Sequence, residues 1–210
     1  MASVAAQLSN HIKRTVIGPM WHGAALDDLL KDVTPEQAAA RPIAGAHTIW
    51  EIVVHVTAWT EIARARLRGG RTADATGAED WPPVGPAGAA EWQVALERLR
   101  DGHRALATDV RRLDNDAAID AKVPGLDYTV ANLLHGVIEH GTYHGGQIAL
   151  LARAWRPDWV LIMPIDYRID TARGIVFTTA TGILTDQEAL EYKRGRDGDR
   201  SSPEGLRYYS

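Results

Sequence analysis

The residues of this chain best placed to act together chemically are two histidines four positions apart, His140 and His144. Side chains at i and i+4 lie one above the other on a helix, so both imidazoles point the same way. Apolar residues recur on that stripe at helical spacing: Leu133, Val137, Ile148 and Leu151. A protein core does not accommodate two unpaired imidazoles without cost. A bound metal ion, which takes both nitrogen lone pairs, would resolve this conflict.

A third histidine, His55, falls on the apolar face of an earlier helix together with Ile52, Trp59 and Ile62. Cores of helical bundles commonly hold metal sites built from facing helices. We therefore predict that His55, His140 and His144 bind one divalent ion. Three neutral imidazoles leave open coordination positions, as in catalytic sites. The ion would lower the pKa of a bound water or polarise a substrate oxygen or sulfur.

Other interpretations of these histidines stay open. The chain has 8 histidines, and some pairs will fall four apart by chance. Three glycines surround the pair, Gly141, Gly145 and Gly146. Each glycine inside a helix costs roughly 0.8–1 kcal/mol relative to alanine. Their presence indicates that a neighbouring helix or a ligand approaches closely.

The remaining histidines are weaker candidates for metal ligands. His135 lies off the line of the pair, and His103 is expected in the core or in support of the site. His22 and His47 stand near helix starts, where such residues cap the helix or face solvent. A di-iron carboxylate site is excluded because the chain contains no Glu-x-x-His motif.

The composition restricts the function further. The absence of cysteine excludes disulfides, thiolate metal sites and a cysteine nucleophile, so any metal must be held by nitrogen and oxygen. A net charge of −4 argues against nucleic acid as the main partner. No apolar run reaches the length of a membrane span, and the first residues do not resemble a secretory signal. We expect a cytoplasmic protein with a small-molecule substrate and no membrane partner.

Helices are predicted to position these residues over the first three quarters of the chain. Amphipathic stripes indicate a first helix from Val4 to Val16 and a third from about Ala89 to Leu113. The second begins at the capping box of Thr48 and Glu51 and ends near Arg68. Glu51 is one turn before His55 and could reach the same site, but we prefer the capping role for it. The fourth starts at Asp127 or Thr129 and continues to about Trp155. A shorter helix is predicted after the capping box at Thr34.

Two features near the second helix each allow two interpretations. Arg64, Arg66 and Arg68 crowd its last turns, and we favour contact with the negative helix end over an anion-binding patch. Residues 71–88 form a long loop of the kind that often covers a site. Trp81 in this loop either plugs the end of the bundle, which we favour, or lines a pocket.

The pattern changes after Pro157. Residues 166–170 and 175–180 are typical of short strands, Thr185 caps a last short helix, and the end from Gly195 is expected to be loose. We therefore predict two units, a helical domain over 1–156 and an accessory extension over 157–210.

Two stretches of the sequence resemble the DinB-like (YfiT-like) family. They are Thr48-Ile49-Trp50-Glu51 leading to His55 and Trp59, and His140-x-x-x-His144-x-Gly146-Gln147-Ile148. The resemblance covers about residues 1–155. It implies an all-α, up-down-down-up four-helix bundle, often a homodimer. The strand-strand-helix appendage predicted after Pro157 is not part of the family pattern. The resemblance also implies nickel or zinc on the same three histidines, with a small thiol as cosubstrate in some members.

The first functional hypothesis is a metal-dependent enzyme, a hydrolase or a small-thiol-dependent transferase, acting on a small electrophile. Tyr143 and Gln147 are its predicted catalytic residues, orienting the substrate or the attacking group. The alternative is a non-catalytic, stress-related metal-binding bundle. A third hypothesis is a ligand-binding module whose C-terminal appendage contacts a partner.

Overall fold

The structure, a computed structural model, describes residues 3–113, 116–155 and the strand residues 165–170, 175–180 and 207–209. The described chain is mostly helical, as the sequence predicts. Four of its α-helices are long and three are short. Their bounds are α1 Val4–Ile17, α2 Leu26–Leu30, α3 Pro35–Ala39, α4 Ile49–Leu67, α5 Ala89–Arg111, α6 Ala117–Asp120 and α7 Val130–Arg153.

The start of α4 is fixed by the predicted capping box. Thr48 Oγ1 accepts a hydrogen bond from the Glu51 amide at 3.0 Å, and the Glu51 carboxylate accepts one from the Thr48 amide at 2.9 Å. Arg41 donates to the other oxygen of the same carboxylate. These bonds satisfy amide groups that have no partner in the first helical turn. The capping role of Glu51 is confirmed.

Side-chain pairs fix the relative direction of the helices around α4. Arg64 bonds to Asp109 of α5 at 3.0 Å, and one turn or more earlier Thr60 lies beside His103. Residue numbers rise together, so α4 and α5 run parallel. Against α7 the order reverses, because His55 meets His140 whereas Arg66 meets Tyr128 just before α7. The helices α4 and α7 are therefore antiparallel.

The first helix packs on α5 and α7. Ser9 Oγ donates to the carbonyl of Ala107 at 2.7 Å, and the Val4 amide bonds to Asp116 beyond the end of α5, so α1 and α5 are antiparallel. Thr15 lies against Gly141 of α7. Each of the four long helices thus contacts two of the others.

The core between these helices consists of two groups of buried apolar side chains. One is centred on Trp50 and Trp92, whose ring centroids are 5.1 Å apart. The other, nearer the opposite end, includes Leu106 and Leu134, both fully buried. Burying a side chain of this size contributes about 1.5–3 kcal/mol. This packing holds α4 and α7 in the register that the site requires.

The chain divides into two compact units, Met1–Arg153 and Ala154–Ser210. In the second unit, β1 Ile165–Asp170 pairs antiparallel with β2 Ile175–Ala180. A third strand, β3 Arg207–Tyr209, pairs parallel with β2 and was not predicted, because the segment is short and polar. The predicted helix after Thr185 lies outside the described residues.

None of the helices in the described part of the chain combines the length and apolarity needed to cross a membrane.

The glycines of α7 make room for other helices of the first unit. A Cβ added at Gly141 would lie 2.5 Å from Cγ2 of Thr15 on α1, and one at Gly145 would lie 3.4 Å from Leu26 of α2. Nothing lies within 4 Å of a Cβ added at Gly146. Of the two alternatives that the sequence left open at Gly141 and Gly145, the structure therefore favours close helix packing.

Replacing Gly141 with alanine is expected to destabilise the protein by about 1–3 kcal/mol, because the added methyl overpacks against Thr15. The same substitution in a Thr15→Ser background, which lacks Cγ2, should instead be neutral or stabilising, since alanine favours helix over glycine. Urea denaturation of the wild type, both single variants and the double variant measures the coupling. Additive free energies would contradict this account of Gly141.

Candidate metal centre

The antiparallel packing of α4 and α7 brings the three predicted histidines together. Nε2 of His140 lies 3.0 Å from Nε2 of His55 and 3.1 Å from Nε2 of His144. His55 and His144 are buried and His140 is half-buried. The candidate ligand atoms of all three lie within 4.8 Å of one another. These three residues could hold a metal ion.

Hydrogen bonds on the far side of two rings determine what the near side offers. His55 Nδ1 lies 2.6 Å from the carbonyl oxygen of Asp80, and His144 Nδ1 lies 2.7 Å from the amide oxygen of Gln147. Both oxygens only accept hydrogen bonds, so each Nδ1 carries the proton. Both Nε2 atoms then present lone pairs toward His140. Because His140 can donate at most one hydrogen from Nε2, it cannot satisfy both.

A cation fits this donor set better than hydrogen bonding among the rings does. Neutral imidazoles bound through one nitrogen, with the other donating to an oxygen, are the usual arrangement for histidine metal ligands. Burial lowers the pKa of His140 to about 3, with a smaller contribution from the adjacent His144 and His55. Burial also lowers the pKa of His144. The environment thus keeps the rings of His140 and His144 neutral, as metal binding requires.

The loop between α4 and α5 holds His55 in place. Trp81 is sandwiched between His47 and His55, with ring centroids 3.5 and 3.8 Å apart and planes within 8° of parallel. Trp59 Nε1 donates to the Asp80 carboxylate at 2.7 Å, which fixes the residue whose carbonyl accepts from His55. Trp81 therefore covers one face of His55. The sequence had left open whether it plugs the end of the bundle or lines a pocket.

Asp80 and Trp59 were not predicted as site residues. Trp59 has the spacing to share a helix face with His55, and this was the one available signal. Asp80 gives no such signal, because its carbonyl reaches His55 only through the path of the loop.

The two predicted catalytic residues lie beside His144. Gln147 accepts from His144 Nδ1 and donates to the Tyr143 hydroxyl at 3.2 Å. The Tyr143 side chain is largely exposed, and its ring lies edge-on to His144 at 5.0 Å. The Gln147 bond is at Nδ1 of His144, whereas Nε2 of the same ring faces His140. A catalytic role for Tyr143 and Gln147 stays a prediction, and the geometry gives Gln147 the role of orienting His144.

A cavity of about 440 Å³ opens beside the histidines between α4 and α7. His55 and His140 line one part of it, and Leu133 and Val137 of α7 contribute apolar wall. On α7, Leu134 and Ile138 point into the core, whereas Leu133, Val137 and His140 point into the cavity.

The other candidate histidines described by the structure lie apart from this cluster. His103 is fully buried on α5, donates through Nδ1 to the carbonyl of Leu99 at 2.9 Å and is a core residue. His47 pairs with Glu51 at 3.2 Å and stacks on Trp81. His135 is exposed on α7.

His103 makes the stability of the protein depend on pH. Burial lowers the pKa of His103 from 6.5 to about 4, so the unfolded chain binds the additional proton first. The contribution of neutral His103 to the free energy of unfolding should therefore be complete above about pH 6.5 and should be lost as the pH drops from 6.5 toward 4. Urea denaturation across this range, with chelator present, should show a shallower fall for His103→Gln. An equal fall in both proteins would be evidence against the assignment.

Gln147→Leu should weaken metal binding by about 10–100-fold, because it removes the acceptor that fixes the ring and tautomer of His144. Tyr143→Phe is the matched control, since it removes the next hydroxyl along the chain of bonds and leaves the His144 bond intact. Competition between the protein and a chelating dye for Zn²⁺ measures both. Wild-type affinity in Gln147→Leu would show that this hydrogen bond does not set the site.

Comparison with known proteins identifies the family. Residues 21–148 match the sequence model of the DinB superfamily, and this span contains α4, α5, the loop at Asp80 and all three histidines of the cluster. No curated protein and no solved structure matches the chain. Since the match covers more than half of the sequence and includes α4 and most of α7, the chain belongs to the DinB superfamily.

Proposed function

We propose that the first unit is an up-down-down-up four-helix bundle and that it is a divalent-metal-dependent enzyme. The pairings of α4 with α5 and α7, and of α1 with α5, support this topology. We retain 1–156 as the helical domain and 157–210 as an accessory extension. The division of the chain after Arg153 supports this boundary. A homodimer and a cytoplasmic location also remain predictions.

In this proposal, Nε2 of His55, His140 and His144 holds the ion. A divalent ion, with zinc or nickel as the expected choices, would supply Lewis acidity toward an oxygen or sulfur of a reactant. Asp80 and Gln147 keep the two outer rings in the required tautomer. Trp81 shields one face of His55, and the apolar wall of the cavity excludes water from a bound substrate.

The observation that carries the enzyme proposal is the cavity that His55 and His140 line. A metal site that serves only for storage or for structural support is usually closed by its ligands. Here the cluster supplies three protein ligands and borders a space of about 440 Å³, which is in the range of small-molecule sites. The non-catalytic, stress-related bundle is therefore the second candidate.

The reaction class we propose is attack on a small electrophile by activated water or by a thiol. The chain has no cysteine, so a thiol would have to enter as a cosubstrate. A hydrolase and a small-thiol-dependent transferase both fit the site, and a panel of simple esters and amides, with and without low-molecular-weight thiols, separates them.

His144→Ala should reduce metal content to near zero and abolish turnover on any substrate that the panel identifies, because two ligands rarely retain a divalent ion against dilution. His135→Ala is the matched control, since it removes an exposed histidine from the same helix and should leave metal content and turnover unchanged. Elemental analysis of the purified proteins measures the first quantity.

Full metal occupancy in His144→Ala would show that the three-histidine assignment is wrong. If His144→Ala loses its metal but the metal-loaded wild type turns over no member of the panel, the result would favour the non-catalytic bundle.

A further inference from the structure

The cavity has a cationic group away from the histidines. The structure separates the three arginines that end α4: Arg64 and Arg68 both pair with Asp109 on α5, whereas Arg66 points between α4 and α7. Arg66 is 6% exposed and lines the cavity. Among the described residues that line the cavity, it is the one arginine or lysine.

The hydrogen-bond partners of Arg66 do not occupy all of its N–H donors. Its terminal nitrogens donate to Tyr128 Oη at 3.0 Å, the carbonyl of Ala73 at 3.2 Å and the Asp74 carboxylate at 2.8 Å. Its Nε is buried and has no hydrogen-bond partner among the described residues. A guanidinium has five N–H donors, and an unsatisfied buried donor costs about 1–3 kcal/mol.

The carboxylate that neutralises Arg66 is loosely held. The Asp74 side chain is 87% exposed on the loop that follows α4. An ion pair open to water on one side contributes little to stability, about 0–1 kcal/mol. Asp74 can therefore be displaced by another anion at small cost, whereas Arg66 cannot leave, since it is enclosed by α4 and the start of α7.

Arg66 lies within reach of the histidine cluster along the cavity. Its Cζ is 5.7 Å from the centre of the Trp59 ring, and that ring is 6.0 Å from the centre of the His140 ring. The guanidinium and the His140 ring are thus no more than about 12 Å apart. Apolar side chains, including Ile62, Leu133 and Val137, line the cavity with them.

A glycine keeps this part of the cavity wide. Gly136 lies inside α7 and lines the cavity, and a Cβ added there would have nothing within 4 Å. Unlike Gly141 and Gly145, it makes no room for a neighbouring element of the described protein. A glycine in the middle of a helix costs about 1 kcal/mol relative to alanine, and the space it leaves is available to a ligand.

We infer that this cavity binds a small substrate with an apolar body and a carboxylate group, seated so that the carboxylate pairs with Arg66 in place of Asp74 and the body extends toward the three histidines. The inference rests on the proposed function and adds the substrate class. A carboxylate is the anion that matches the planar fork of a guanidinium. The apolar side chains of the lining suit the body of such a molecule.

The test uses octanoate and its neutral counterpart octanamide as probes, with full-length protein treated with chelator so that no metal attracts the carboxylate. Titration is followed by tryptophan fluorescence, to which Trp59 in the cavity lining contributes, and by calorimetry. Wild-type protein should bind octanoate about tenfold or more tightly than octanamide, as expected for a charge-assisted hydrogen bond. Arg66→Met should lose this preference.

Two further variants separate binding from folding effects. Asp74→Asn removes the competing carboxylate and should tighten octanoate binding several-fold while leaving octanamide unchanged. Gly136→Leu should weaken both probes, because its side chain projects into the space that they occupy. Circular dichroism and urea denaturation establish that each variant is folded.

Equal affinity for the two probes in the wild type, or a preference for octanoate that survives Arg66→Met, would overturn the inference. Weaker octanoate binding in Asp74→Asn would do so as well. Octanoate binding that appears only in the metal-loaded protein would place the carboxylate on the ion and not on Arg66, which sinks this inference and leaves the proposed function intact. If the purified protein holds no metal but the preference follows Arg66, the proposed function fails and the anion site stands.

Discussion

The two hydrogen bonds at Nδ1 of His55 and His144 determine what the centre of this protein can do. Each bond ends on a residue that a second hydrogen bond holds: the Asp80 carboxylate accepts from Trp59, and the Gln147 amide nitrogen donates to the Tyr143 hydroxyl. With these protons fixed, the Nε2 lone pairs of both rings face Nε2 of His140, which has one hydrogen at most to offer. The cluster therefore has more nitrogen lone pairs than N–H donors to bond them, and a cation could bind these lone pairs.

This arrangement requires that α7 does three things at once. One face, with Leu134 and Ile138, packs into the core. A second face carries Gly141 and Gly145, which let α1 and α2 approach closely. The third presents Leu133, Val137 and His140 to the cavity. Because a helix turns once every 3.6 residues, neighbouring positions in the sequence serve different partners, and small changes in helix contact would move the histidines.

The electrostatics of the first unit favour neutral imidazoles at His140 and His144 and a charged group at a distance from them. Burial, and not a neighbouring cation, is the largest cause of the lowered pKa values of His140 and His103. The charge of Arg66 is kept in place by Asp74 and by its bonds to Tyr128 and Ala73. In the proposed function, a substrate that lies between these points would meet an ion held by the histidines at one end and the guanidinium of Arg66 at the other.

The sequence alone determined the helices and the residue types of the centre. The capping boxes at Thr34 and Thr48 located the first residues of α3 and α4. Spacing also showed that His140 and His144 share a face, because a helix imposes that relation locally. That His55 meets them depends on the antiparallel packing of α4 and α7, which no local rule fixes and which the sequence could only suggest. Asp80, Trp81 and Arg66 acquired their roles from the path of a loop and from side chains distant in sequence. Such contacts depend on how apolar faces pack over the whole unit, and so only the tertiary structure decided them.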